Sequence, residues 1–133
     1  MNSSSSILEQ LITLSKQDFW ECVDAILPAH ANDIDVIAWA KENTKNPNAN
    51  LKDLSACIFE TSTIVLEKSD IEKLLVMIHE QIDNSYPRFR AACAFAKRAH
   101  VLDKHIVEEA RAILREHLND EDVADIAKAY LGI

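Results

Sequence analysis

His100 and His105 stand five residues apart, with Glu108 and Glu109 close behind. On a helix, His105 and Glu109 share one face at i, i+4 spacing. A metal ion needs a third and a fourth ligand near such a pair. His100 precedes that helix, so the expected reading is a loop histidine beside a surface ion pair, with no metal. The three cysteines, Cys22, Cys57 and Cys93, form no Cys-x-x-Cys spacing. They read as small packing residues and not as a redox or metal centre. Ser, His and Asp side chains are all present, yet no nucleophile elbow and no base–orienter spacing joins them. One Gly in 133 residues excludes a glycine-rich phosphate loop. The chain is therefore expected to be no enzyme and to need no cofactor.

Charge narrows the partners. The chain carries 14 basic and 22 acidic residues, a net charge of −8. Nucleic acid is not expected as a partner, because phosphate binding needs a clustered basic face on a basic protein. The charge is uneven: residues 1–87 sum to −8, 88–117 to +3 and 118–133 to −3. The middle segment reads either as ordinary solvated surface or as a mildly basic patch for an acidic partner. The opening Met-Asn-Ser-Ser-Ser-Ser has no basic region, and no apolar run approaches the roughly 18 residues of a membrane span. With an odd number of cysteines as well, a cytoplasmic, non-membrane protein is expected.

The elements that must position these residues are helical. Apolar residues recur at helical spacing from Phe19 through Leu27, from Ile34, from Leu51, from Ile71 to Ile82, from Ala91, from Ile106 and from Val123. A short helix over 7–14 precedes them, behind a polar lead-in at 3–6. The expected punctuation is a capping box of Ser69 and Glu72, a weaker one of Ser15 and Asp18, and N-caps at Asp103 and Asp120. Pro87 fits a first helical turn, Pro28 closes the helix over 19–27, and Asn46-Pro47-Asn48 is a turn. Ile64-Val65-Leu66 is β-prone but too brief for a strand.

The chain also resembles itself. A shift of 36 places Ala56 on Ala92, Cys57 on Cys93, Phe59 on Phe95, Val65 on Val101, Leu66 on Leu102 and Lys68 on Lys104. Units of about 16–45, 46–82 and 83–118 follow, with a closing helix over 119–133. One hairpin cannot bury both faces of its helices, whereas stacked hairpins share a continuous core. The expected fold is one all-α domain over 1–133: a short right-handed α-α superhelix of about three helix-hairpin repeats plus capping helices. A compact irregular bundle is the alternative.

Asp83 followed by Phe89-Arg90-Ala91-Ala92 resembles the HEAT-repeat pattern of Asp, Val-Arg and paired Ala. Residues 120–127, with Leu131-Gly132 closing, resemble it again. The likeness covers about 50 residues. Ala124 replaces the arginine in the last unit, and the middle unit has Leu51-Lys52 without the Ala pair. The resemblance implies an α-solenoid that binds proteins, with Arg90 in a ladder between neighbouring units. In such stacks the second helices line a concave face. Their equivalent positions here are Trp39, Val76 and Ala112, and one turn on, Glu42, His79 and Arg115. The resulting expectation is a protein-binding module or adaptor that docks a partner segment on Trp39 and Val76. Glu42 edges that strip, and His79, Arg111 and Arg115 pair acidic groups. Trp39 reads first as a core residue and second as part of this strip. The alternative function is a small acidic inhibitor, such as an immunity protein, antitoxin or phage-encoded blocker, that occludes a basic partner.

Overall fold

The computed structural model describes residues 3–80 and 86–133. Ile82, Asp83 and the expected unit boundary between them lie outside the described residues. The described residues form eight α-helices, α1 (Ser3–Lys16), α2 (Trp20–His30), α3 (Ile34–Glu42), α4 (Ala49–Thr61), α5 (Lys68–His79), α6 (Tyr86–Lys97), α7 (Lys104–Glu116) and α8 (Ala124–Leu131), with one 3-10 turn at Ala99–Val101. No strand occurs among the described residues, and no described helix is long and apolar enough to cross a membrane. The protein is all-α.

Two helices form its axis. In α4, Leu51 and every residue of 54–60 are buried; in α6, Pro87, Phe89 and all of 91–95 are buried. A helix buried on every side belongs at the centre of a helical protein. Ala56, Cys57, Ala92 and Cys93 are small enough for the two backbones to approach, and Phe59, Phe89 and Phe95 are buried in the same core. The other helices present single stripes to this pair. Helix α7 buries Ala110, Ile113 and Leu114 at i, i+3, i+4 and turns its charged residues outward. Helices α1 and α3 lie against α4, α5 and α7 against α6, and α8 against both α6 and α7.

The 36-residue spacing recurs in the element boundaries. Helix α4 ends at Thr61 and α6 at Lys97; α5 begins at Lys68 and α7 at Lys104. Both connections are six residues long, with Glu67 and Asp103 as N-caps. The α2–α3 pair departs from this pattern, with only residues 31–33 between its helices.

Local chemistry places some boundaries as expected and moves others. Asn48 caps α4, accepting from Asn50 and Leu51 N–H at 3.0 and 3.2 Å. Asp103 caps α7 through His105 N–H, and Pro87 sits in the first turn of α6. Helix α1 begins at Ser3, so the serines extend a helix instead of preceding one. Helix α2 runs two residues past Pro28. A proline in a last turn forfeits one N–H bond and leaves the rest of the helix intact. The box before α5 is built by Glu67 and Asp70, not Ser69 and Glu72: Asp70 accepts the Glu67 N–H at 2.9 Å. Buried Leu66 fixes where that connection must end.

Ser15 and Asp18 form no box either. Asp18 adopts φ 64 and terminates α1, with Phe19 N–H reaching back to Leu14 O and Asp18 N–H to Ser15 O. Gly132 closes α8 in the same way at φ 75, a conformation that favours glycine. Asp120 does not cap α8 directly. It opens a turn through Asp122 N–H, and α8 starts at Ala124.

Candidate interaction site

Three polar side chains meet between α4, α6 and α8. Glu60 on α4 accepts from Arg90 Nη1 on α6 and from Tyr130 Oη on α8, each at 3.0 Å. Arg90 thus links neighbouring helices through Glu60. Beside it, burial raises the Asp53 carboxyl to about 6 against the pull of Arg90, and the Cys57 thiol reaches Asp53 Oδ1. Burial also raises the thiols of Cys57 and Cys93 well above their ordinary range. Cys22 departs from the packing role expected of it: it lies on the exposed side of α2. Among the described residues, no group of three His, Cys, Asp or Glu side chains could hold a metal ion.

A second surface feature lies where the two six-residue connections line one cleft. The last carbonyls of a helix have no partner within it. At the end of α4 they are met from α6. Lys97 Nζ donates to Glu60 O, Thr61 O and Ser62 O at 2.8, 3.0 and 2.9 Å. Arg98 Nε donates to Ile64 O, Nη2 to Ser62 O and Nη1 to Ala94 O, at 2.9–3.0 Å. On the other flank, Asn32 accepts from Thr63 N–H and donates to Thr63 Oγ1. The 62–64 backbone is therefore held from both sides.

Between this connection and residues 97–102 opens a cleft of about 340 Å³, walled by Ile64, Leu66, Ile71 and Leu102 and rimmed by Val65, Val101 and His100. Val65 is 85% exposed and Val101 67%, although both are large apolar residues.

His100 apart, the residues singled out by sequence fall elsewhere. His79 on α5 stands 2.6 Å from Glu109 on α7, so the carboxylate expected beside His105 pairs across helices instead. His79, Glu109 and Ala112 share a shallow groove with Arg88 and Glu116, which pair at 2.7 Å. Trp39, Glu42, Val76, Arg111 and Arg115 lie outside its lining. Trp39 is half-buried against the core, and Glu42 is exposed. Val76 is exposed, Arg111 donates to Leu131 O at the end of α8, and Arg115 points to solvent.

The cleft went unread in the sequence because its walls are held by bonds to backbone carbonyls. One signal was present: Val65 and Val101, exact matches under the 36-residue shift, are apolar residues between helices. No family model, curated protein or solved structure matches the chain.

Proposed function

We propose that the chain is a non-enzymatic, cytoplasmic protein-interaction module that receives an apolar segment of a partner polypeptide in the cleft between residues 62–66 and 97–102. The observation that carries this reading is the pair of exposed valines, Val65 and Val101, on the lips of a cleft whose backbone is pinned by Lys97 and Arg98. A cleft already ordered before binding loses little conformational entropy when occupied. Grouped apolar side chains left in water mark contact surfaces. The overall charge of −8 favours a polypeptide over a nucleic acid as the partner.

Selection from a random peptide library on the full-length protein tests this. Selected peptides are expected to bind the wild type and a Val76→Asp, His79→Ala variant, and to lose a Val65→Asp, Val101→Asp variant that keeps its helical circular dichroism. Loss on the first variant with retention on the second would move the site to the second-helix face of α5.

The acidic-inhibitor reading draws on the −8 charge of residues 1–87. It requires a basic partner whose association slows steeply with salt and is indifferent to the two valines.

A further inference from the structure

We infer that residues 62–67 act as a lone β-strand and take the partner segment as a second, extended strand, paired main chain to main chain at Val65; this rests on the protein-binding reading above. The first support is shape. Ser62 and Glu67, at the two ends of the connection, are extended, with ψ 160 and 166, and no helical or turn residue lies between them. Exposure alternates along it: Thr63, Val65 and Glu67 are exposed, while Ile64 is half-buried and Leu66 buried. A period of two is what an extended strand with one face on a core produces.

The second support is the main chain's hydrogen bonding. Arg98 meets Ser62 O and Ile64 O, and Asn32 meets Thr63 N–H. The N–H groups of Ile64, Val65 and Leu66 and the carbonyls of Thr63, Val65 and Leu66 have no partner among the described residues. Unpaired main-chain groups on an extended segment are a template for another strand. Strand addition draws affinity from those groups, while neighbouring pockets take alternate side chains of the added chain; here the cleft beside Ile64 and Leu66 is such a pocket. The strand is most open at Val65. The equivalent connection offers no such edge, because Ala99–Val101 is a 3-10 turn closed by Val101 N–H on Arg98 O at 3.0 Å. The complementary occupant is a free extended segment and not a second copy. In a second copy the same strand runs between α4 and α5, which end at Thr61 and begin at Lys68. Paired strands lie about 4.8 Å apart, closer than the roughly 8–10 Å at which helices pack, so helices at both ends of the added strand would crowd those of the first.

The test is a titration of the isotope-labelled full-length protein, followed by NMR, with the capped peptide acetyl-Lys-Val-Thr-Val-Thr-Val-Glu-amide and two backbone-modified forms of it. One form is N-methylated at its valines and the other at its threonines, so all three peptides carry the same side chains. In a paired strand the N–H groups of alternate residues face one edge, so one methylated set points at Val65 and the other at solvent. The unmodified peptide is expected to shift the amides of 62–66 and 97–102. One N-methylated form is expected to bind about tenfold more weakly and the other within about twofold of the parent. Equal binding of all three peptides, or equal loss by both modified forms, overturns strand pairing while the cleft reading stands. No shift at these amides with any of the three overturns both. Shifts of the same amides on raising the protein concentration alone would overturn the free segment in favour of a second copy.

Discussion

The guanidinium of Arg90 on α6 lies 3.0 Å from the carboxylate of Glu60 on α4, with only 18% and 10% of the two side chains exposed. Glu60 also receives the Tyr130 hydroxyl of α8, so one carboxylate joins three helices. Removing one member of a buried pair leaves the other charged and unpaired. Arg90→Ala is expected to cost about 3 kcal/mol in urea unfolding. Tyr130→Phe is expected to cost about 1–2 kcal/mol, the worth of one hydrogen bond to a charged acceptor. A double Arg90→Met, Glu60→Leu variant should recover much of the first loss. If it is no more stable than Arg90→Ala, the charges matter for something other than burial.

Asp53 supplies the pH dependence. Burial first, and then the acids Glu60 and Asp24, raise its carboxyl to about 6 against the opposing pull of Arg90. A folded-state pKa above the unfolded value means that the native protein holds the proton more tightly. The contribution to stability is then complete below about pH 4 and is lost as pH rises through about 6. Because Asp53 is only half-buried, the expected loss is about 1–2 kcal/mol. Asp53→Asn should be more stable than the wild type at pH 7, and the gap should close at pH 4. A constant gap across urea titrations at both pH values would remove Asp53 as the source.

What the sequence made legible was local or periodic. Asn48, Asp103 and Pro87 act within one turn of their own positions, so their roles follow from residue type. The equivalence of Ala56, Cys57 and Phe59 with Ala92, Cys93 and Phe95 was readable as a shift, and all six are buried in the α4–α6 axis. Ser69 and Pro28 misled because a helix boundary is set by what its flanking loop must bury, here Leu66, or by how little one missing N–H costs in a last turn. The cleft was hidden for a different reason. Lys97 and Arg98 act on the carbonyls of 60–64, and a backbone acceptor has no residue type to read.

The three thiols should separate cleanly by reactivity. Cys22 is exposed, whereas Cys57 and Cys93 are buried, with their thiols shifted upward by that burial. Only the thiolate attacks a disulfide reagent. An aromatic disulfide reagent at pH 8 is expected to modify Cys22 within minutes and the other two only on unfolding, in step with the loss of helical circular dichroism. Rapid modification of all three in the native protein would show that the α4–α6 axis opens locally.

Lys97 tests whether the cleft is held ready before anything enters it. Its ammonium meets three successive carbonyls, Glu60 O, Thr61 O and Ser62 O, that end α4. Lys97→Met keeps the apolar stem and removes the donors. Water can replace some of those bonds at a half-exposed site, so the expected global cost is about 1–2 kcal/mol. The local effect should be larger in kind: amides of 62–66 are expected to exchange with solvent about tenfold faster, while those of buried 54–58 keep their protection. Peptide affinity should fall with it, because the ordering entropy moves from folding to binding. Unchanged exchange at 62–66 would mean that Arg98 and Asn32 alone hold the connection.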